Sequence, residues 1–265
     1  MRELTLPRSG GVTAAVLGSM GSGDPHRPRL VWYGQGRTEL STASLTNWAA
    51  KTAGYLVDEL GAEPGDGVLW RVRRSWQGLP LLLGCWWAGL VVTDVLPADA
   101  AAGATEPVAA FVDPDEPASA DLDVDEVVVA SVHPFGLETG ALTPPCRSVA
   151  DAILPQADRF ATRGPGPAAY APAVVTASGS WTVGQVLAMI EAAAVPDGAV
   201  VLSTTPPSLL DAVCAGALAA WAAGGALIQV DGGSVDPARI ASGIATDERA
   251  TATLGLDLPG LPRIG

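Results

Sequence analysis

Lysine is nearly missing from this sequence. Lys51 is the only one, so every other fixed positive charge among 15 Lys and Arg residues is arginine, set against 28 Asp and Glu for a net charge of −13. A polyphosphate or nucleic-acid ligand meets a repulsive field unless a local basic patch overcomes it, and no nucleic-acid partner is expected. Charge of either sign is sparse, at 16% of residues against 48% hydrophobic, which places the chain among compact globules rather than disordered chains. Cysteine is scarce too. Cys85, Cys146 and Cys214 are odd in number and lack a Cys-x-x-Cys spacing, which argues against a disulfide framework or a zinc site. A reduced, cytoplasmic setting with no metal is expected, with Cys85 and Cys214 as buried thiols. The longest uncharged apolar run, Ala212 to Val230, is rich in Ala and Gly, is broken by Gly224-Gly225, and has Asp211 and Asp231 at its ends. It lacks the basic flanks that orient a membrane helix, so no membrane span is expected. Arg2, Arg8 and the weak apolar patch Val12 to Leu17 make a poor signal peptide beside Glu3 and the glycines.

What is present is a repeated alternation of short apolar runs and helical periodicity, in a chain of 265 residues, long enough for a real core. A short helix is expected over 12–20, a strand over Leu30 to Tyr33, and a hairpin tip at Gly34 to Arg37 with Thr38 to Leu40 returning. Ser41 caps a helix to about Leu60 that puts Leu45, Trp48, Ala49, Thr52, Leu56 and Leu60 on one face. Pro64-Gly65-Asp66 turns into a buried strand, Val68 to Val72. A helix with Leu79, Leu82, Leu83 and Trp86 follows, then Gly89 and the strand Leu90 to Val95. Val108 to Val112 and Glu126 to Val132 are further strands.

The same order recurs later. A helix from Trp181 to about Ala194 is followed by Pro196-Asp197-Gly198 and the strand Ala199 to Ser203. A helix from Leu209 to Ala223 then leads through Gly224-Gly225 to the strand Ala226 to Val230. The fold class is therefore α/β, with two stacked βαβ-type subdomains whose sheets are mostly parallel. The Pro/Gly-rich stretch 161–172 suggests a division into 1–160 and 161–265.

Few residues carry candidate chemistry. Arg71, Arg73 and Arg74 stand at a strand's carboxyl end before a helix start, where α/β sheets bind anions. The plainer reading is a solvated loop whose arginines pair with carboxylates. Ser203, Thr204 and Thr205 occupy the matching place in the second unit, as ligand contacts or as a polar turn capping the next helix. His133 follows a strand, and no Gly-x-Ser-x-Gly elbow supports a hydrolase built from Ser131 or Ser178. Gly164-Pro165-Gly166-Pro167 has the letters of a dinucleotide loop but is filled with proline. The acidic run 121–126 lacks the glycine and distal Glu of a calcium loop.

Asp24-Pro25 to Tyr33, Glu39-Leu40-Ser41 with its helix, Pro64-Gly65-Asp66, Gly89 to Val92 and the doubled unit together resemble the N-terminal part of the large domain of AMP-binding, adenylate-forming enzymes. The resemblance spans most of 12–255. The Ala/Arg/Gly bias with one lysine is similar to that of an actinobacterial family of degenerate, acyl-CoA synthetase-like relatives. The resemblance implies ATP or AMP with Mg²⁺, held by a Ser/Thr/Gly-rich loop ending in Pro-Lys-Gly after the strand Ala173 to Val175. Here Thr176-Ala177-Ser178-Gly179-Ser180-Trp181-Thr182 follows instead, leaving Thr176, Ser178 and Gly179 as a remnant. Lys51 lies in the first helix, the arginines lie in the other unit, and the sequence stops before the family's aromatic-Gly-x-Thr-Glu segment, ribose-binding Asp and C-terminal Lys. No catalytic residue is assigned, and the expectation is a pseudoenzyme that binds a small acyl or nucleotide ligand, a protein partner or a second copy of itself. The alternatives are a minimal or split acyl or aminoacyl adenylating enzyme, and a structural or regulatory partner with no ligand.

Overall fold

Gly89 shows how local sequence sets the architecture. It adopts φ +85°, which an L side chain resists, and so ends the helix α3 (Gly78–Trp87) and returns the chain toward strand β4 (Val91–Thr93). The computed structural model describes residues 4–21, 23–96, 105–116, 122, 124–137, 140–231 and 237–264. Much of the loop at 97–125, and positions 121 and 123 of the acidic run, lie outside the described residues.

Strand β3 (Gly67–Arg71) pairs parallel with β4, with Val68 opposite Val92. In the second unit β10 (Val200–Ser203) pairs parallel with β11 (Ala226–Val230), Leu202 opposite Ile228. A π-helical stretch, Asp211–Leu218, runs into α6 (Ala219–Ala222) to connect them. Both βαβ units therefore form as the sequence predicts.

Each sheet nevertheless draws strands from both sides of residue 160. The seven-stranded sheet runs β7 (Cys146–Ser148), β6 (Val127–Val129), β5 (Pro107–Val112), β3, β4, β8 (Pro172–Thr176), β9 (Gly179–Thr182). The six-stranded sheet runs β13 (Arg263–Ile264), β12 (Ala252–Leu254), β10, β11, β1 (Pro28–Tyr33), β2 (Arg37–Ser41). The hairpins β1–β2 and β8–β9 are the antiparallel pairs; the other ladders are parallel.

The layers follow from strand alternation. Val68 and Trp70 of β3 face the main core while Leu69 faces an outer cluster with Ala110 and Val127. Val201 and Leu227 likewise face inward, and Leu202 and Ile228 outward toward Ala241 and Ile244 of helix α7 (Pro237–Asp247). The inner faces of both sheets thus close on helices α1 (Gly11–Met20), α2 (Thr42–Gly54), α3, the short α4 (Val149–Ala152), α5 (Val183–Ala192) and α6. The hydroxyl of Ser41 caps α2 by accepting the Ser44 N–H, and α2 continues into a π-helical turn, Tyr55–Glu59. Thr182 and Gln185 form a reciprocal capping box at the start of α5. Gly84 lets α3 touch α2: a methyl there would overlap Thr52 Cβ and lie 2.7 Å from the Ala49 carbonyl. Cys85 and Cys214 are buried, and Cys146 is partly exposed. No helix among the described residues is long and apolar enough to cross a membrane.

Candidate functional site at the carboxyl edges of the sheets

Parallel strands end together, so their following loops share one edge, where α/β sheets gather ligand-binding residues. In the seven-stranded sheet that edge carries Ser131 after β6, Asp113 after β5, Arg71 to Arg74 at β3, Asp94 after β4 and Thr176 ending β8. The sequence separates the arginines and the Thr176 segment into different units. The structure corrects this, because β3 and β8 belong to one sheet with only β4 between them.

Two of the three arginines face carboxylates. Arg74 pairs with Asp115 at 2.5 Å and lies 3.7 Å from Asp231, which follows β11 of the other sheet. Arg71 lies 3.9 Å from Glu116. Arg73 is exposed and makes no ion pair among the described residues. The backbone N–H groups of Arg73 and Arg74 both donate to Asp113 Oδ2, at 2.7 and 3.0 Å. Asp113 is only 4% exposed, and burial pushes its carboxyl up to about 6 although these two bonds pull the other way. Its Oδ1 is buried with no hydrogen-bond partner among the described residues. The sequence reading missed Asp113. Its signal was an acidic residue directly after the apolar run Val108 to Val112, level with the arginines.

Thr176, Ser178 and Gly179 form the tip of a tight hairpin. Thr176 pairs with Gly179 across a two-residue turn, and the Thr176 hydroxyl lies 3.0 Å from the Ser178 hydroxyl and accepts the Ser178 N–H at 3.2 Å. Gly179 packs against the Trp181 indole, which a Cβ would approach to 3.1 Å. In the other sheet the Ser203 hydroxyl accepts the Thr205 N–H at 3.2 Å, and Gln229 donates to the Thr205 carbonyl at 3.0 Å. Thr204 is partly exposed. A Cβ on Gly255 would overlap the Thr205 hydroxyl, so this loop is wedged against the end of β12. The two sheets' edges meet through Arg74 and Asp231 and through the Thr38 hydroxyl, which donates to the Pro134 carbonyl at 2.9 Å.

His133 serves the local backbone. Its carbonyl accepts the Trp76 indole N–H and its Nδ1 accepts the Phe135 N–H. Ser131 Oγ accepts the His133 backbone N–H at 3.1 Å. Gln77 is fully buried; its Oε1 accepts the Ser131 N–H at 2.7 Å, and its Nε2 has no partner among the described residues. No group of three or more His, Cys, Asp or Glu side chains among the described residues is arranged to hold a metal ion.

No protein-family model matches the chain. Among solved structures, the fold is similar to an acyl-CoA synthetase of Brucella canis (TM-score 0.74, 14% identity, 93% of this chain and 47% of that one). It is also similar to the amide bond synthetase McbA of Marinactinospora thermotolerans (TM-score 0.64, 20% identity, 91% and 48%). A third similar structure is an anthranilate CoA ligase in complex with anthranoyl-AMP (TM-score 0.68, 12% identity, 96% and 51%). The chain spans about half the length of these structures, and its fold is that of the N-terminal part of adenylate-forming enzymes. Among curated proteins, a TIGR03089 family protein of Mycobacterium tuberculosis is 34% identical over 246 residues, covering 89% of this chain and 96% of that protein. With identity of that extent along nearly the whole of both proteins, the chain belongs to the TIGR03089 family.

Proposed function

We propose that this chain is a pseudoenzyme on an adenylate-forming fold, which binds a small acyl or nucleotide-like ligand, or a protein partner, at the carboxyl edges of its sheets without turning over ATP. The observation that carries the reading is the β8–β9 hairpin. A loop that cradles a triphosphate needs several free backbone N–H groups and a cation. Here the segment closes in two residues, and the Ser178 N–H is taken by the Thr176 hydroxyl. Magnesium and ATP do not fit this turn as it stands. Of the arginines on the same edge, Arg71 and Arg74 face Glu116, Asp115 and Asp231, and Arg73 is exposed. Each lost contact of this kind costs on the order of 3–4 kcal/mol of transition-state stabilisation. The single lysine, Lys51, is engaged elsewhere, donating to the Leu154 carbonyl and pairing with Asp158. The mycobacterial relative and the arginine-for-lysine composition support an actinobacterial origin, and the odd, scattered cysteines support a reducing, cytoplasmic compartment.

The test is radiolabelled pyrophosphate exchange by the purified chain with Mg²⁺, ATP and a panel of fatty, aromatic and amino acids. The expected result is no exchange above the protein-free background. Exchange that disappears in a Thr176→Ala, Ser178→Ala variant overturns the proposal in favour of a minimal ligase. Exchange that appears only with a second protein overturns it in favour of a split one.

A further inference from the structure

At the opposite, amino edge of the seven-stranded sheet lies a cleft that contains none of the carboxyl-edge candidate residues. It encloses about 410 Å³, within the ~300–1,000 Å³ typical of small-molecule sites. One wall is the end of α3 and the turn before β3, with Trp87, Ala62 and Pro64. The other is the irregular strap from Phe160 to Pro167.

Three contacts position the strap. The Trp87 indole N–H donates to Thr162 Oγ1 at 3.1 Å. Arg163 pairs with Asp58 at 2.7 Å. Pro167 is wedged between Gly11 and Gly89, where a Cβ would come within 3.2 and 3.5 Å of its ring. Phe160 then stands edge-on to Trp87, with ring centroids 6.0 Å apart. These contacts engage the polar groups of Trp87, Thr162 and Arg163, and most of the surface left facing the space is apolar or aromatic. Interiors elsewhere in a folded chain close such voids. The charges at the rim disfavour an anion, because Arg163 is already paired and Glu63 is a carboxylate.

We infer that this cleft is a binding site for a small, uncharged molecule with an aromatic or fused-ring body, seated against Trp87 and Phe160. Recognition comes from ring stacking and apolar burial rather than from directed hydrogen bonds. The inference is independent of what the carboxyl edges bind.

The probe is 2-naphthol, with 2-naphthoate as its charged counterpart, added to the full chain near pH 7. Saturation-transfer NMR measures binding, and probe-to-protein NOEs locate it. Saturable binding with NOEs to the Phe160 ring is expected, about tenfold weaker in Trp87→Ala, which removes the stacking face. Ala62→Phe, which fills the cleft, is expected to abolish it, with circular dichroism verifying the fold; Trp87→Ala serves alone if that variant does not fold. A Thr176→Ala, Ser203→Ala double variant is expected to bind the probe as the wild type does. The inference is overturned by absence of saturable binding, by unchanged affinity in Trp87→Ala, by loss of binding in the Thr176→Ala, Ser203→Ala variant, or by tighter binding of 2-naphthoate than of 2-naphthol.

Discussion

Trp221 donates its indole N–H to the backbone carbonyl of Arg29, 2.7 Å away, and Arg29 answers across the same junction. Its Nη1 reaches the carbonyls of Gly224 and Gly225 at 2.5 and 2.9 Å, and its Nε donates to the Thr42 hydroxyl at 2.9 Å. Arg29 is 2% exposed and makes no ion pair among the described residues. Its charge is met by carbonyls at the carboxyl end of a helical stretch, where the helix dipole is negative. Arg29→Met leaves those carbonyls buried and unmet and is expected to destabilise the chain by roughly 2–4 kcal/mol in urea unfolding. Arg29→Lys is expected to remain well below wild type, because an ammonium cannot reproduce the planar fork. A change under about half a kcal/mol in Arg29→Met would show that the clasp contributes nothing.

The α2–α3 contact makes a second prediction. At Gly84 an added methyl meets Thr52 Cβ and the Ala49 backbone carbonyl, neither of which is the free end of a flexible side chain. Gly84→Ala is therefore expected to lose about 1–3 kcal/mol, although alanine is the better helix former by about 1 kcal/mol at an exposed position. Stabilisation in a thermal melt would mean that the helices do not touch there.

Asp113 ties stability to pH. Burial raises its folded-state pKa from the ordinary 3.8 to about 6, so the folded chain holds this proton more tightly than the unfolded one. The stability contributed by protonation is fully present below about pH 3.8 and is lost as pH rises through 6. Asn in its place cannot ionise and keeps an oxygen for the Arg73 and Arg74 N–H groups. The stability of Asp113→Asn relative to wild type is expected to improve between pH 4 and pH 8 by about 2–2.5 kcal/mol. Chemical denaturation at a series of pH values measures this difference, and a difference that stays flat removes the assignment.

The arginine loop is expected to be a poor anion site. Arg71 and Arg74 face carboxylates, so titration calorimetry with inorganic phosphate should give the same weak response for wild type and for an Arg71→Gln, Arg73→Gln, Arg74→Gln variant. Tight, salt-sensitive binding by the wild type alone would reinstate the loop as a site.

Both βαβ units were legible in the sequence because each rests on short-range pattern. The i, i+3, i+4 spacing of Leu79, Leu82 and Leu83, the stop at Gly89 and the apolar run Ala226 to Val230 fix helix and strand locally. Strand partners were less legible, since nothing near Pro28–Tyr33 announces that Leu30 will pair with Leu227. The helical pattern predicts a start at Trp181, but Ser180-Trp181-Thr182 alternates as a strand should and Thr182-x-x-Gln185 is a capping box, so β9 runs to Thr182 and the helix begins at Val183. The Phe160 to Pro167 strap reads as a linker by composition, and only its distant ties to Trp87 and Asp58 give it a wall to form.

The exchange of hairpins between sheets has a consequence for synthesis. The β1–β2 hairpin leaves the ribosome early, yet its parallel partner β11 begins at Ala226. Until then the β11-facing side of β1 is an unpaired strand edge, the kind of surface that pairs with other nascent chains. Translation proceeds at about 5–20 residues per second, so this edge waits on the order of ten seconds or more before it is closed. A fragment cut at residue 160 never closes it and also leaves β4 without β8. Chain termination or proteolysis anywhere between the two hairpins is therefore expected to yield aggregates rather than a half-size folded domain.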